Sequence, residues 1–135
     1  MTTDPGTAAS LAEALDDEYK ARATYRRVIA KFGPVRPFVN IVEAEERHIA
    51  ALLRQFGRLG LDPPPDTWPD RIAAPATLRD ACAAGVAAEI ENGALYDRLI
   101  GLTRDPQARQ VMAQLREASQ ECHLPAFRRC LARRR

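Results

Sequence analysis

The sequence repeats itself at long range, and both of its histidines fall at the same place in the repeat. Asp17–Ile29, DEYKARATYRRVI, aligns without a gap on Ala88–Ile100, AEIENGALYDRLI. Glu18 then meets Glu89, Tyr25 meets Tyr96, and Ile29 meets Ile100. Glu45–Leu52, EERHIAAL, aligns on Gln120–Phe127, QECHLPAF, and His48 meets His123. The second pairing is offset by four residues more than the first, which a longer stretch between the third and fourth helices supplies. Two copies of a helical hairpin imply a bundle with approximate two-fold symmetry, in which equivalent residues face each other across one axis.

The elements follow from composition and punctuation. Ala, Leu, Glu and Arg dominate and aromatics are only 6% of the 135 residues, a mix that loses little on entering a helix. No run of alternating β-branched residues predicts a sheet. The first helix is expected over about 10–32, from a capping box at Ser10 and Glu13 to the stop at Gly33-Pro34. The second is expected over 37–59, with Pro37 in its first turn and Gly60 after it. Residues 60–76 hold Pro63, Pro64, Pro65, Pro69 and Pro75, a density no regular helix tolerates. They read as a crossover along the bundle, pinned by Trp68. Thr77 opens a third helix, 77–103, and Asp105-Pro106 a fourth, 105–131, which Pro125 should bend. Residues 1–9 read as a flexible N-terminus and 132–135 as a basic tail. The fold class is all-α: one four-helix domain.

Each of the first three helices then carries a glutamate on its apolar stripe. Ile41, Glu45, His48, Leu52 and Phe56 recur at steps of four, three, four and four, which is one helix face. Glu18 sits between Leu15 and Tyr25 on the first helix, and Glu89 between Gly85 and Tyr96 on the third. Burying an ionised carboxylate without a partner costs several kcal/mol, and three converging carboxylates also repel. Two divalent cations relieve both problems, and an oxygen-plus-imidazole donor set suits iron and manganese. Taken singly, a buried histidine is a hydrogen-bonded core residue and one Glu-x-x-His is weak; their repetition is what points to metal. Tyr25 and Tyr96, two turns from Glu18 and Glu89, have two readings. They are core residues with satisfied hydroxyls, or they orient ligands on neighbouring helices.

Charge and cysteines narrow the rest. The formal net charge is +2, without the basic excess of a nucleic-acid binder. Arg128, Arg129, Arg133, Arg134 and Arg135 read as a solvated helix end suited to the helix dipole. Residues 1–9 lack the apolar segment of a signal peptide, and no apolar stretch approaches the roughly 20 residues of a membrane span. The expectation is a cytoplasmic protein without membrane or nucleic-acid partners. Cys82, Cys122 and Cys130 are read as small buried hydrophobes in a reducing compartment.

The set Glu18, Glu45-x-x-His48, Glu89 and His123, spread over four helices, resembles the ferritin-like superfamily, especially its rubrerythrin-type members. The stretches DEYKARATY, FGPVRPFVNIVEAEERHIAAL and AEIENGALYDRL resemble a bacterial branch catalogued as a domain of unknown function. The resemblance runs from about Leu11 to Leu131. It implies that Glu18 and Glu89 are carboxylate ligands, Glu45 a bridging carboxylate, and His48 and His123 terminal imidazoles. It implies two transition-metal ions, iron first, manganese second, zinc as a substitute acquired in purification. The implied activity is a di-iron or di-manganese oxidoreductase acting on peroxide, oxygen or ferrous iron and served by a separate electron donor. A homodimer is expected on general grounds, since closed two-fold dimers are the commonest oligomers. No residue beyond the metal ligands is assigned to catalysis. One position departs from the pattern: Gln120 stands where the family has its remaining carboxylate, three residues before His123. A neutral amide binds a cation more weakly. Glu121 points about 100° away around the helix, and Glu91 lies on another face from Glu89. The rubredoxin-like four-cysteine iron site of rubrerythrins is also missing. Storage, delivery or sensing of metal, or an interaction role on a scaffold without redox activity, are therefore the competing functions.

Overall fold

The structure, a computed structural model, describes residues 3–134. Its first helix, α1 (Pro5–Phe32), starts well ahead of the expected capping box. Asp4 is the N-cap: its carboxylate accepts from the Thr7 N–H at 2.9 Å, and Pro5 fills the first helical position. Ser10 is 2% exposed inside the helix, so the box at Ser10 and Glu13 is corrected to a cap at Asp4. The flexible N-terminus is corrected too, since residues 5–9 are helical; Met1 and Thr2 lie outside the described residues. Thr7 explains why this end is ordered. Its hydroxyl donates to Asp4 and accepts from the N–H groups of Arg104 and Asp105, tying the start of α1 to a distant turn.

The remaining helices are α2 (Phe38–Leu59), α3 (Leu78–Leu102), α4 (Pro106–Ala118) and α5 (Leu124–Arg133). Gly60, at φ 68°, closes α2 in the left-handed conformation. Thr77 and Asp105 cap α3 and α4 as the sequence predicts, accepting from the N–H groups of Asp80 and Ala108. A π turn, Ser119–His123, joins α4 to α5, so the expected fourth helix is one rod in three parts that reaches Arg133. Pro125 lies in the first turn of α5, directly after the π turn. Among the described residues there is no strand, and no helix is long and apolar enough to cross a membrane.

The offset between the two repeats has a different origin from the one expected. The α3–α4 connection, Thr103–Asp105, is shorter than the α1–α2 connection, Gly33–Pro37. The added length lies in helix: fourteen residues of α4 and the π turn precede Gln120, and seven of α2 precede Glu45. The crossover runs along α1. Trp68 donates to Asp16 at 2.9 Å, Arg22 holds Asp66 at 3.0 Å, and Lys31 donates to the Pro75 carbonyl at 2.8 Å.

The core is two apolar blocks. Leu11, Leu15, Leu52, Phe56, Leu99 and Met112 belong to one; Tyr25, Phe38, Ile41, Ala81 and Phe127 belong to the other. Along each helix the candidate ligands fall between the two blocks, so apolar packing closes the polar layer from both ends. Two α3 glycines permit this spacing. A Cβ on Gly85 would lie 2.6 Å from the Phe127 ring, and one on Gly93 would lie 2.5 Å from the Gln120 side chain.

The cysteine expectation is corrected on two counts. Cys82 on α3 and Cys130 on α5 are buried but joined as a disulfide, their Cα atoms 5.7 Å apart. Cys122, by contrast, is a free, exposed thiol. The bonded pair removes the cysteines as support for a reducing compartment.

Candidate metal centre

Glu18 comes from α1, Glu45 and His48 from α2, Glu89 from α3 and His123 from the end of the π turn. All five are buried, between 2% and 9% exposed. They form two groups that share Glu45: Glu18, Glu45 and His48, and Glu45, Glu89 and His123. Within each group the donor atoms lie within 4.8 Å of one another. The Nδ1 of His48 is 3.6 Å from Glu18 and 3.7 Å from Oε2 of Glu45. The Nδ1 of His123 is 3.3 Å from Glu89 and 3.4 Å from Oε1 of Glu45. The two imidazoles stack with centroids 5.4 Å apart. Glu45 thus presents one oxygen to each histidine, as a carboxylate between two cations would.

The tyrosines are core residues with satisfied hydroxyls. Tyr25 and Tyr96 are at most 1% exposed, and each hydroxyl donates across the bundle to a carboxylate of the opposite hairpin. Tyr25 reaches Glu89 at 2.7 Å and Tyr96 reaches Glu18 at 2.6 Å. Burial, then the charge of the adjacent carboxylate, pushes both phenols well above the usual tyrosine range. They stay protonated and act as donors, fixing one oxygen of each carboxylate.

The carboxylates themselves are frustrated. Burial, followed by the charge of Glu18, pushes the Glu45 carboxyl well above the usual range. Burial works the same way on Glu18, but its contacts with Glu45, His48 and Tyr96 outweigh it and lower the carboxyl to about 2. Among the described residues no lysine or arginine pairs with Glu18, Glu45 or Glu89, and Oε2 of Glu45 is buried without a hydrogen-bond partner. A proton shared with Glu18 relieves this partly; a cation at each group relieves it fully. The donor set and the orphaned oxygen therefore fit a pair of metal ions.

The π turn decides what the last helix contributes. Its bonds reach five residues back, as in the Leu124 N–H to the Ser119 carbonyl, so the helix phase slips by part of a turn. Ser119, four residues before His123, is 2% exposed, and its hydroxyl donates to Oε1 of Glu89 at 2.8 Å. Gln120 lies to one side. Its amide donates to the Glu89 carbonyl at 2.6 Å and to the Ser119 hydroxyl at 2.9 Å. Glu121 and Glu91 are exposed. Sequence reasoning missed Ser119 because it looked for a ligand three residues before His123. A regular helix would have put both Ser119 and Gln120 on that face, and the π turn carries Gln120 off it while keeping Ser119 in line.

It also missed Asp17. This carboxylate accepts from the Asn92 amide at 2.7 Å beside a cavity of about 50 Å³ that reaches Glu45, Glu89 and Tyr25. Burial raises its pKa from 3.8 to about 6, against the Asn92 hydrogen bond. The folded chain therefore holds more protons than the unfolded one between those values, and stability falls as pH rises through that window. In metal-stripped protein, Asp17→Asn should gain about 1–2 kcal/mol over wild type at pH 7.5, after allowance for partial exposure. It should gain nothing at pH 4. Denaturant melts at both pH values check this, and an equal difference at both refutes it.

No family model and no curated protein matches the sequence, and the bacterial branch named above is accordingly not confirmed. Solved structures do match. A hypothetical protein from Methanococcus jannaschii superposes with a TM-score of 0.86 at 21% identity, over 98% of this chain and 83% of that one. The bacterioferritin of Mycobacterium tuberculosis superposes at 0.80, with 19% identity, over 96% and 86%. The fold is ferritin-like. A further mycobacterial bacterioferritin agrees, at 0.79 and 21% identity over 96% and 84%. At such identities the likeness establishes the ferritin-like bundle and leaves the chemistry to this chain's own residues.

Proposed function

We propose that this ferritin-like chain binds two transition-metal ions, iron or manganese, and uses them as an oxidoreductase on peroxide, oxygen or ferrous iron. Glu18, Glu45 and His48 hold one ion; Glu45, Glu89 and His123 hold the other. The observation that carries the reading is Glu45, buried, with one oxygen facing each histidine and Oε2 unpartnered. Bound there, the metals supply redox and Lewis-acid chemistry. The chain's residues do the rest. Tyr25 and Tyr96 hold Glu89 and Glu18 in orientation, the two apolar blocks exclude bulk water, and the small cavity beside Glu89 admits a molecule of peroxide size. The reading carries with it rubrerythrin-type kinship, a separate electron donor, a homodimeric assembly and a cytoplasmic setting.

A second reading, metal binding for storage, delivery or sensing, is favoured by one observation. The last helix offers a serine hydroxyl and an engaged amide beside His123 where a carboxylate is expected. Less negative charge at that group weakens its hold on an oxidised ion.

Metal content by plasma mass spectrometry tests both, on protein purified without chelator or affinity metal. About two ions per chain are expected in wild type, lost in Glu45→Ala and reduced in His48→Ala. Peroxide- or oxygen-dependent spectral changes then separate turnover from storage. No bound metal, even after anaerobic reconstitution with iron, manganese or zinc, would sink the metal reading.

A further inference from the structure

We infer that the groove between α2 and α5 is a binding site for a small multivalent oxyanion of the pyrophosphate or polycarboxylate kind. The groove encloses about 480 Å³, within the range of small-ligand pockets. Arg36 lines it from the α1–α2 connection, Arg47 from the middle of α2, and Arg129 and Arg133 from α5. Cys122 and His123 also line it, and no carboxylate does. Arg129 and Arg133 are four residues apart on one helix, hence on one face.

The convergence of four arginines on one groove whose lining holds no carboxylate carries the inference. Arg22, Arg26, Arg58, Arg98 and Arg116 each meet a carboxylate. Among the described residues, none of the four groove arginines makes an ion pair or a side-chain hydrogen bond, a state they share with Arg54, Arg79, Arg104, Arg109 and Arg128; what sets the four apart is that they line one concavity. Four like charges around one concavity repel each other until an anion enters. Guanidinium groups bind oxyanions through paired N–H donors, and several converging guanidiniums favour a multivalent one. The concave shape and the overall charge of only +2 favour a compact ligand over an extended nucleic acid, which follows broad basic surfaces. The α5 arginines thus have a use beyond ending a helix.

The proposal does not depend on metal, so its test runs on protein stripped of metal and desalted. Cys122 is a reporter inside the groove, with Cys122→Ser identifying the labelled thiol. The ratio of its alkylation rates with iodoacetate and iodoacetamide cancels the thiolate fraction and reads the local potential. The ratio should exceed that of an unstructured thiol peptide by about tenfold. Inorganic pyrophosphate should protect Cys122 saturably, where sodium chloride at equal ionic strength does not. Arg47→Gln combined with Arg129→Gln should bring the ratio to the peptide value and end protection, with an unchanged unfolding midpoint. Three results would overturn the proposal: a ratio equal to the peptide's, protection by chloride as strong as by pyrophosphate, or protection by a single-stranded oligonucleotide alone.

Discussion

Glu45→Gln should melt higher than wild type once metal is stripped, and lower than wild type once metal is supplied. Without metal, Glu45 is a buried acid facing Glu18 and Glu89, and Oε2 has no donor. Glutamine keeps the shape and removes the ionisable group, which should gain about 1–3 kcal/mol in stripped protein. For a domain of this size that is roughly 3–15 °C in melting temperature. The gain depends on pH with a definite sign. The folded-state pKa of Glu45 lies well above the ordinary glutamate value of 4.5, so the folded chain binds more protons. Stripped wild type then loses stability as pH rises above that value, and Glu45→Gln flattens the loss. With metal the order reverses. An ion present at a thousand times its dissociation constant stabilises the folded state by about 4 kcal/mol, roughly 12–20 °C here. Glu45 belongs to both groups, so its replacement forfeits most of that. Calorimetry with and without iron or manganese reads both arms. A shift of the same sign in both conditions would rule out metal as the reason for the buried carboxylates.

Phe127→Ala should cost about 3–5 kcal/mol, the largest loss expected from a single core truncation here. Phe127 is fully buried, its ring centroid 5.2 Å from that of Tyr25 and 5.3 Å from that of Phe38. It also rests on Gly85, where a Cβ would come within 2.6 Å of the ring. That contact makes a sharper prediction than the loss itself. Gly85→Ala in the wild-type background should destabilise by about 1–3 kcal/mol, since overpacking outweighs the gain from removing a glycine in mid-helix. With Phe127→Ala already present the clash is gone. The same substitution should then stabilise by about 0.5–1 kcal/mol, the helix gain alone. A double-mutant cycle by urea denaturation measures the coupling. Additive effects would mean that α3 and α5 do not pack as closely as the glycine requires.

Much of this was legible in the sequence because it is local or periodic. Thr77 and Asp105 announce their helices by capping chemistry, and the crossover by its prolines. Glu18, Glu45, His48 and Glu89 stand out because helical spacing puts each on an apolar face, and His123 because the repeat matches it with His48, as it matches Glu89 with Glu18. The start of α1 was misjudged for a physical reason. Asp4-Pro5 and Ser10 offer rival caps of similar local strength, and the choice is made by Thr7, whose hydroxyl is satisfied by Arg104 and Asp105 at the far end of α3.

What the sequence determined by itself is therefore the four-helix rod pattern, the buried stripe of each helix and the acidic and imidazole side chains placed on those stripes. These rest on bonds and spacings within a few residues. Only the tertiary structure decided that Glu45 turns one oxygen to each histidine and that Ser119 replaces Gln120 at the face of Glu89. It alone joined Cys82 to Cys130, 48 residues apart, and drew four arginines around one groove. Each of these depends on which helices lie side by side and in what phase. Phase is set by packing of the whole bundle, by two α3 glycines and by one π turn, rather than by any single stretch of chain.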